Sequence, residues 1–279
     1  MSYSTTLGIA NIYRNANKSY DAAMKMVATG KRINSAADDP AGLSISEKMK
    51  AQIRGLNQAS KNAQNGISLL NVAEGAMGEQ ENILHRIREL AVQAATDTNA
   101  DTDREALQAE VNQLLEEINR IGGTTQFNGM NLLDGSKMNK QEGDDNALYI
   151  HVGANANQAI AIEIGEMNAG AMGISSIDIT NREGANAAID AIDGAIKIAS
   201  RERSKLGAYT NRLEFTISNL ETQAENMTAA ESRISDADMA QAVMEMAKSS
   251  IMSQVAQSML AQSMQSESLV LKLLEGLNG

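Results

Sequence analysis

Cysteine and tryptophan are absent from this sequence of 279 residues, proline occurs once, and aromatic residues make up only 3% of it. The absence of cysteine excludes disulfide bonds, cysteine-ligated metal sites and thiol catalysis. Few aromatic side chains disfavour a thick globular core, whereas alanine, leucine, isoleucine and methionine suit the close interfaces between packed helices. These absences favour a helical protein that is indifferent to the redox state of its compartment.

Positive charge and long apolar runs are also scarce. Lysine and arginine number 24 against 35 aspartate and glutamate residues, so the formal net charge is −11. A nucleic-acid-binding protein normally carries a basic face, and the charge balance argues against that class. No run of about 18 apolar residues occurs, so we expect no membrane-spanning helix. The first ten residues lack a basic segment followed by an apolar block, so we expect no cleaved secretory signal.

An apolar heptad repeat runs through the first half of the chain. Apolar or small residues, with few gaps, return at every seventh position from Met49 to Ala91. A stripe held at this period predicts one helix over about 41–97 that keeps a single face against other helices. Asp39 is a suitable N-cap and Pro40 suits the first helical position, so we expect the helix to begin there.

Two shorter helices are predicted on either side of this long one. Apolar residues alternate by four and three positions over residues 5–29, which predicts an amphipathic helix. Thr102 and Glu105 form a capping-box pattern that opens another helix. We expect Gly122 and Gly123 to stop it, because adjacent glycines interrupt a helical pattern.

The C-terminal part of the chain predicts two more helices. Thr180 and Glu183 form a capping-box pattern before a second long heptad repeat, in which Arg203 is the one charged interruption. Ser235 with Asp238 is expected to cap a terminal helix. A seam is here the row of side chains at the interface of two paired helices. The seam expected for the terminal helix consists of Ala240, Met244, Ala247, Ile251 and Val255.

Residues 124–180 have a different pattern. Apolar residues alternate with other side chains over 148–152 and again over 160–164, which predicts a β-hairpin. Asn128-Gly129 is a turn dipeptide ahead of this hairpin. The polar stretch 136–146 is predicted to be an exposed loop.

The predicted fold is mainly α, with long antiparallel helices forming a rod-like helical bundle or coiled coil and a small β-hairpin region in the middle. The basic N-terminal helix and the acidic C-terminal helix are expected to pair. Each is apolar on more than one face, so the pair cannot cover its own apolar surface, which implies open, repeating assembly. Two domains are expected, a terminal coiled-coil domain of 1–43 with 235–279 and an inner rod domain of 44–234. The long helices of the rod domain are expected over about 41–97, 102–121 and 181–230. Its β-hairpin and turn region is expected over about 124–180.

Residue types that carry catalysis or bind metals are sparse. His85 and His151 are the only histidines and lie in no metal-binding motif, so we expect neither a metal site nor a cofactor. Asp38 and Asp39 are explained by capping ahead of Pro40 rather than by acid–base chemistry. The methionines of the C-terminal helix suit an adaptable interface. Without a phosphate loop or a nucleophile–base pair, the sequence does not indicate an enzyme.

Six short sequence blocks occur in order along the two halves of the chain. The N-terminal half carries TGKRINSAADDPAGL at 29–43, RIRELAVQ at 86–93 and TQFNG at 125–129. The C-terminal half carries LGAYTNRLE at 206–214, NL with EN at 219–226, and SRISDAD at 232–238. Together they resemble the bacterial flagellins over roughly 1–135 and 180–279. Because the middle of the chain is short, it is similar to a minimal flagellin with little of the variable central region.

The resemblance implies a structural subunit that self-assembles into the bacterial flagellar filament for motility. The protein would be secreted, leaving the cell unfolded through the flagellar type III apparatus. The implied partners are other copies of itself in a helical homopolymer, an export chaperone at the C-terminal helix, and the hook-associated junction and cap proteins. Nucleic acid and membrane are not expected partners. The polymerisation helices would act through Ile9, Tyr13, Tyr20, Val27, Met244, Ile251, Val255, Leu271, Leu273 and Leu274.

The resemblance also implies a ligand of the innate immune toll-like receptor for flagellin. The corresponding surface is expected to be an exposed inter-subunit surface that the receptor would also contact, and it consists of Arg86, Arg88, Glu89, Leu90, Gln93 and Glu110.

Two other functions stay open at this point. A hook–filament junction protein shares the terminal helices but usually lacks the full block at 86–93. A secreted or adaptor coiled coil would bind a partner without polymerising. The complete block at 86–93 favours the filament subunit over the junction protein, and terminal helices that cannot cover their own apolar faces favour it over the non-polymerising coiled coil.

Overall fold

The computed structural model describes residues 2–137 and 148–277, except for the side chains of 2–5, 267 and 270–277. Within these ranges the chain is mainly helical with two short β-hairpins, so the predicted fold class is confirmed. The elements follow in the order α1 (Ser2–Thr29), α2 (Pro40–Ala94), α3 (Asp101–Thr124), β1 (Gln126–Phe127), β2 (Met130–Asn131), β3 (Leu148–His151), β4 (Ala159–Ile162), α4 (Arg182–Ser235) and α5 (Met239–Leu277).

The chain divides into two compact units. The first comprises 1–51 and 225–279, and the second comprises 52–224. Helices α1 and α5 belong to the first unit, α3 and the strands belong to the second, and α2 and α4 contribute to both. The domain boundaries expected from the sequence, near residues 43 and 235, stay a prediction.

In the second unit, α3 runs antiparallel to α2. The Gln80 side-chain amide of α2 donates to the Ile118 carbonyl of α3 at 3.1 Å, while Arg86 lies against Glu110 nearer the other end. Each fully buried aliphatic side chain at such an interface contributes about 1.5–3 kcal/mol relative to exposure. The fully buried large side chains of α2 and α3 include Leu70, Met77, Leu84, Ile87, Leu90 and Ile118.

Helix α4 also runs antiparallel to α2 within this unit. Arg88 Nε of α2 donates to Asp193 Oδ1 of α4 at 2.7 Å, and Leu56 shares a buried cluster with Leu220 farther along. The paired apolar stripes therefore explain why both helices keep a heptad period over such length.

Arg203 interrupts the α4 stripe, and the structure shows how it is accommodated. Its guanidinium hydrogen-bonds to the Glu81 carboxylate and lies 3.6 Å from Glu74 Oε1. Glu74 and Glu81 are one heptad apart on α2, so both face the same position of α4. A charge that is paired on both sides fixes the register of two helices, because a shift would leave it unpaired.

The start of α2 confirms the predicted cap. Asp39 Oδ1 accepts the Gly42 N–H at 2.9 Å, and Pro40 occupies the first helical position. The predicted cap of α3 was wrong, because α3 begins after Ala100 rather than at Thr102. Asp103 Oδ2 accepts the Ala100 N–H at 3.1 Å, which is one half of a capping box; alanine has no side-chain acceptor for the other half.

The caps predicted for α4 and α5 were also misplaced. Asn181 Oδ1 accepts the Gly184 N–H at 2.7 Å and caps α4, while the Thr180 hydroxyl donates to Asp178. Asp238 Oδ1 accepts the Ala240 N–H at 2.9 Å and caps α5, whereas Ser235 ends α4. In each case a carboxylate or amide one to three residues downstream caps instead of the hydroxyl chosen from the pattern.

The predicted β-hairpin is confirmed. Strands β3 and β4 pair antiparallel, with Leu148 opposite Ile162 and His151 opposite Ala159. A smaller hairpin of β1 and β2 precedes it, and its turn residues Asn128 and Gly129 have φ of 51° and 78°. Two central residues with positive φ favour a tight turn of this sequence. The loop predicted over 136–146 lies outside the described residues from position 138 onward.

In the first unit, α1 and α5 pair antiparallel, as expected. Asn17 Oδ1 accepts the Ser253 hydroxyl at 2.7 Å, and Thr6 and Ser263 share a hydrogen bond of 3.1 Å. Attraction between a basic and an acidic helix was the expected reason for pairing. Among the described side chains, however, no ion pair within 4.0 Å joins the two helices. Packing and neutral hydrogen bonds therefore hold them together.

The two connectors next to these helices bind each other. Lys31 and Asp236 form an isolated antiparallel β-bridge, with Arg32 N–H donating to the Ser235 carbonyl at 2.7 Å and Ala237 N–H donating to the Gly30 carbonyl at 3.0 Å. Lys31 Nζ also donates to Asp236 Oδ1 at 2.5 Å. We call these contacts the connector clasp.

The clasp changes the pKa of both ionic side chains. The hydrogen bond from Lys31, followed by that from Ser232, lowers the pKa of Asp236, and the Asp236 carboxylate raises the pKa of Lys31. Lowering the Asp236 pKa stabilises the clasp above the unfolded pKa of aspartate and that stabilisation is lost as pH falls through the folded pKa. The contribution of Lys31 also stabilises the clasp but has the opposite pH dependence, because it is lost as pH rises through the raised pKa of the lysine.

Gly122 has a structural role that differs from the predicted one. Helix α3 continues past it to Thr124, so it does not stop the helix. A Cβ at Gly122 would lie 2.7 Å from the Met167 carbonyl oxygen, so glycine permits the close approach of this backbone. A Cβ at Gly123 meets nothing within 4 Å.

Substituting Gly122 by alanine should therefore destabilise the second unit by about 1–3 kcal/mol, the usual cost of overpacking. Gly123→Ala is the matched control and should be neutral or slightly stabilising, since alanine is the better helix former. Urea unfolding followed by circular dichroism measures both. Equal stabilities of the two variants would contradict the assigned role of Gly122.

Asp236→Asn should weaken the connector clasp selectively. We expect the protection factors of the Arg32 and Ala237 amides in hydrogen exchange to fall by less than about tenfold near pH 7, because an exposed ion pair is worth about 1 kcal/mol or less. In the wild type these protection factors should decline below about pH 4, as Asp236 becomes protonated, and the variant should lose part of that decline. Asp178→Asn, at another hydrogen-bonded carboxylate, is the control. Unchanged protection in Asp236→Asn would contradict the prediction.

Candidate assembly surface

The seam of α5 is not the predicted one. Ala240, Met244, Ala247, Ile251 and Val255 are all exposed, so that prediction was wrong. The side chains that face α1 lie two residues later, and they are mostly small. Ala242, Ser249 and Ala256 are buried, with partly buried side chains between and beyond them at Met246, Ser253, Leu260 and Ser263.

The physical reason for this choice lies on α1. Its seam is the predicted one, in which Ala16 and Ala23 are buried and the larger Tyr13 and Tyr20 are partly buried. Tyrosines fill much of a helix interface, and the buried residues of α5 are correspondingly alanine and serine. Because α5 is apolar on more than one face, both registers satisfied the sequence pattern, and only packing against α1 decides between them.

The consequence is an exposed apolar row on α5 outside its buried seam. Met244, Ile251 and Val255 are 66%, 62% and 51% exposed. Met252 and Met259 belong to the same row, and we call these five residues the outer strip. Lys248 lies between Met244 and Met252, and its ammonium is held 3.5 Å from Glu245. Its aliphatic stem can extend the apolar surface while its charge stays in water.

Helix α1 contributes fewer exposed apolar side chains, namely Leu7, Ile12 and Met24. The polymerisation residues predicted on α1, which are Ile9, Tyr13, Tyr20 and Val27, are each partly buried. At least Tyr13 and Tyr20 thus serve the pairing of α1 with α5. Of those predicted on α5, Met244, Ile251 and Val255 lie in the outer strip, while the side chains of Leu271, Leu273 and Leu274 are outside the described residues.

A groove of about 430 Å³ lies in the first unit, where α1 and α5 approach the connectors. Its lining is mostly apolar and includes Ala22, Met26 and Ala242, together with the charged Arg32 and Glu245. A groove of this kind suits a large apolar side chain of a neighbouring chain.

The residues of the predicted receptor surface lie in the second unit, and the structure divides them. Arg86 donates to Glu110 Oε1 at 2.8 Å from Nη2 and to Glu89 Oε2 at 3.2 Å from Nη1. The Glu110 hydrogen bond, followed by that of Glu89, raises the pKa of the Arg86 guanidinium. Arg88 instead pairs with Asp193 of α4.

Two members of this surface differ sharply in exposure. Leu90 is only 1% exposed and belongs to the core, so its side chain cannot contribute to a surface. Gln93 is exposed. What the structure places together is therefore an exposed, internally paired group of Arg86, Glu89 and Glu110, with Gln93 about one turn farther along α2.

Phe215 is an exposed residue that the sequence reasoning missed. It is 78% exposed on α4, flanked by Arg212 and Thr216. It occupies a polar face of the helix, so the heptad pattern gave no reason to single it out. The chain has only two phenylalanines, and Phe215 is exposed to solvent. It is therefore a candidate contact with another molecule.

The described residues show no arrangement for catalysis. In ranges 2–137 and 148–277 no three histidine, aspartate or glutamate side chains are grouped so as to hold a metal ion. No described helix combines the length and apolarity that crossing a lipid bilayer requires. The features that stand out are an apolar strip, a groove and a self-paired charged surface, and all three are suited to contacts between proteins.

Comparison with known proteins gives the same family at both ends of the chain. The model of the bacterial flagellin N-terminal helical region matches residues 2–138, and that of the flagellin C-terminal helical region matches 189–274. The flagellin of Halalkalibacterium halodurans is 47% identical over 254 residues, which cover 90% of each chain. The flagellin of Bacillus subtilis strain 168 is 43% identical over 294 residues, covering 96% of this chain and 97% of that protein.

A solved structure from Vibrio parahaemolyticus, assigned to the flagellar hook-associated proteins, has a TM-score of 0.58 and covers 71% of this chain and all of that one. At 14% identity it shows a shared fold and nothing about function. The family models together span more than half of the chain, and the curated relatives span nearly all of it. The chain therefore belongs to the bacterial flagellins, structural subunits of the extracellular flagellar filament, and is not an enzyme.

Proposed function

We propose that this flagellin polymerises by burying the outer strip of α5 against neighbouring copies of the chain. The observation that carries the proposal is the orientation of α5. Its fully buried residues are small, whereas five large apolar residues of the outer strip are roughly half exposed or more. A monomer gains nothing from this arrangement, whereas a polymer removes the exposed residues from water.

The free energy available from the strip favours assembly but does not carry it alone. Fully burying a valine, isoleucine or methionine side chain is worth about 1.5–3 kcal/mol. The five side chains are 47–66% exposed in the single chain, so completing their burial offers about 4–8 kcal/mol. Association costs several kcal/mol or more in lost freedom, so the rest of the subunit contact must contribute as well. The groove between α1 and α5 supplies an apolar surface of another shape. A contact between two unlike surfaces is head-to-tail, so it produces a filament whenever the rotation between neighbouring copies does not close a ring.

Export through the flagellar type III apparatus in an unfolded state fits the same features. The chain has no cysteine, so no disulfide resists unfolding. An apolar strip that drives polymerisation outside the cell must be covered inside it. An export chaperone that binds α5 would meet that need, and the hook-associated junction and cap proteins would meet the same surface at the two ends of the filament.

The charged surface of α2 and α3 supports a second role, as a ligand of the toll-like receptor for flagellin. The receptor would contact the exposed Arg86, Glu89, Gln93 and Glu110, with Arg88 beside them. Leu90 would act only from beneath, by packing α2 against the core. Because Arg86 and Glu110 already neutralise each other, a receptor would gain from a preorganised pair rather than from two mobile charges.

A hook–filament junction role is not favoured. The chain carries the complete block at 86–93, and its curated relatives are flagellins, including a flagellar filament core protein of Treponema maltophilum.

Ile251→Asp should abolish filament growth and leave the monomer folded, because a charge buried in an apolar contact is far more costly than one in water. Gln254→Asp adds the same charge at an exposed position three residues away and is the matched control. Seeded elongation followed by light scattering and negative-stain microscopy measures assembly, and circular dichroism measures helix content. Normal filaments from Ile251→Asp would refute the outer strip as the assembly surface.

Replacing both Arg86 and Glu110 by alanine should lower receptor activation by about tenfold or more, a loss typical of central interface residues. The double replacement of Arg120 and Glu117 removes another exposed ion pair of the second unit and is the control. Activation is measured with purified monomer in receptor-expressing reporter cells. Equal activation by the two double variants would exclude this surface from receptor binding.

A further inference from the structure

We propose that Met244, Met252 and Met259 form an oxidation site that controls addition of the chain to a growing filament. The proposal rests on the assembly role proposed for the outer strip. The modification is conversion of their thioether sulfurs to sulfoxides by a peroxide. The expected consequence is that an oxidised monomer stays folded but can no longer be added.

The first support is the position of these methionines. They make up three of the five residues of the outer strip, and each is roughly half exposed or more in the single chain. The other two strip residues, Ile251 and Val255, cannot be oxidised in this way. Thioether oxidation depends on access to the reagent, so these sulfurs are open to attack before assembly.

The second support is the contrast with methionines elsewhere in the chain. Met77 and Met167 are completely buried in the core of the second unit, and Met172 is nearly so. A peroxide that reaches the outer strip therefore meets little resistance, while these core methionines stay protected as long as the unit is folded. The fold thus sorts chemically identical residues into reactive and inert groups.

The chemistry is a two-electron oxygen transfer. The thioether sulfur attacks one oxygen of hydrogen peroxide, an S–O bond forms, the O–O bond breaks, and the remaining oxygen leaves as water after proton transfer. The sulfur is oxidised and the peroxide is reduced, so the step balances with no other reagent. The product is polar and carries a hydrogen-bond acceptor in place of an apolar sulfur.

The sulfoxide acts on assembly and not on folding. The seam between α5 and α1 is made of alanine and serine together with Met246, Leu260 and others, and the three strip methionines lie outside its buried positions. Met252 borders the seam, because it lines a groove with Ile12 and Ala16 of α1, but it is still 47% exposed. In a filament, by contrast, each sulfoxide oxygen would be buried against apolar atoms of a neighbour without a hydrogen-bond donor, which is unfavourable. Methionines already buried in a filament are shielded, so oxidant should arrest growth without dismantling existing polymer.

The test begins with the full chain treated as monomer with graded hydrogen peroxide. Peptide mass spectrometry should show sulfoxide at Met244, Met252 and Met259 while Met77 and Met167 stay reduced. The oxidised monomer should keep its circular dichroism spectrum, and its critical concentration for seeded elongation should rise by about tenfold or more. Preformed filaments given the same dose should keep the three strip methionines reduced.

Two variants separate the strip from other oxidised methionines. In the triple variant M244L/M252L/M259L the strip is apolar but inert to peroxide, so its critical concentration should be the same before and after treatment. In M239L/M264L the exposed methionines that flank the strip are replaced, and sensitivity should persist. Each protein is compared with its own untreated sample, so a changed starting value does not enter the comparison.

The outcomes distinguish this proposal from the assembly role on which it rests. Oxidised wild type that elongates normally, or a triple variant that loses elongation on treatment as the wild type does, would overturn the oxidation site while untreated filaments still supported assembly. Untreated wild type that fails to elongate on seeds would overturn the assembly role and the oxidation site together.

Discussion

The pairing of α1 with α5 through small side chains is the constraint on which the assembly properties depend. Tyr13 and Tyr20 occupy the seam of α1, so α5 can approach only with alanine, serine and a few larger residues. Large apolar residues of α5 that lie outside this seam are exposed to solvent, because a pair of helices has no third element to cover them. Close packing inside the chain and an exposed apolar strip outside it are therefore two results of one choice of register.

The second unit uses polar groups between its helices for a different purpose. Arg203, set between two glutamates one heptad apart, has satisfactory partners in one register of α2 and α4 only. Gln80 is fully buried and donates to the carbonyls of Ile118 and Met167 at 3.1 and 2.8 Å. Long apolar stripes by themselves permit slippage by a turn, and such groups exclude it because a shifted helix would leave them unpaired.

The surfaces of the two units differ in the interactions they can support. The outer strip gains free energy only when it is buried, which suits permanent contacts between identical subunits. The Arg86, Glu89 and Glu110 group is already paired within the chain and stays exposed, which suits a weaker contact that adds specificity more than affinity. The methionines of the strip suit an adaptable interface because their side chains are flexible, and peroxide can oxidise the same side chains to polar sulfoxides.

The sequence by itself determined the helices, the hairpin, the cap at Asp39 and the seam of α1, because periodicity and turn chemistry are local properties. It also indicated the flagellin family, through short sequence blocks in both halves of the chain. Tertiary structure alone decided which face of α5 is buried, that Leu90 is core, and that Gly122 permits a backbone contact with Met167. Those outcomes depend on the shape of a partner element far away in the chain. A helix that is apolar on every side gives no local signal of which side that partner will cover.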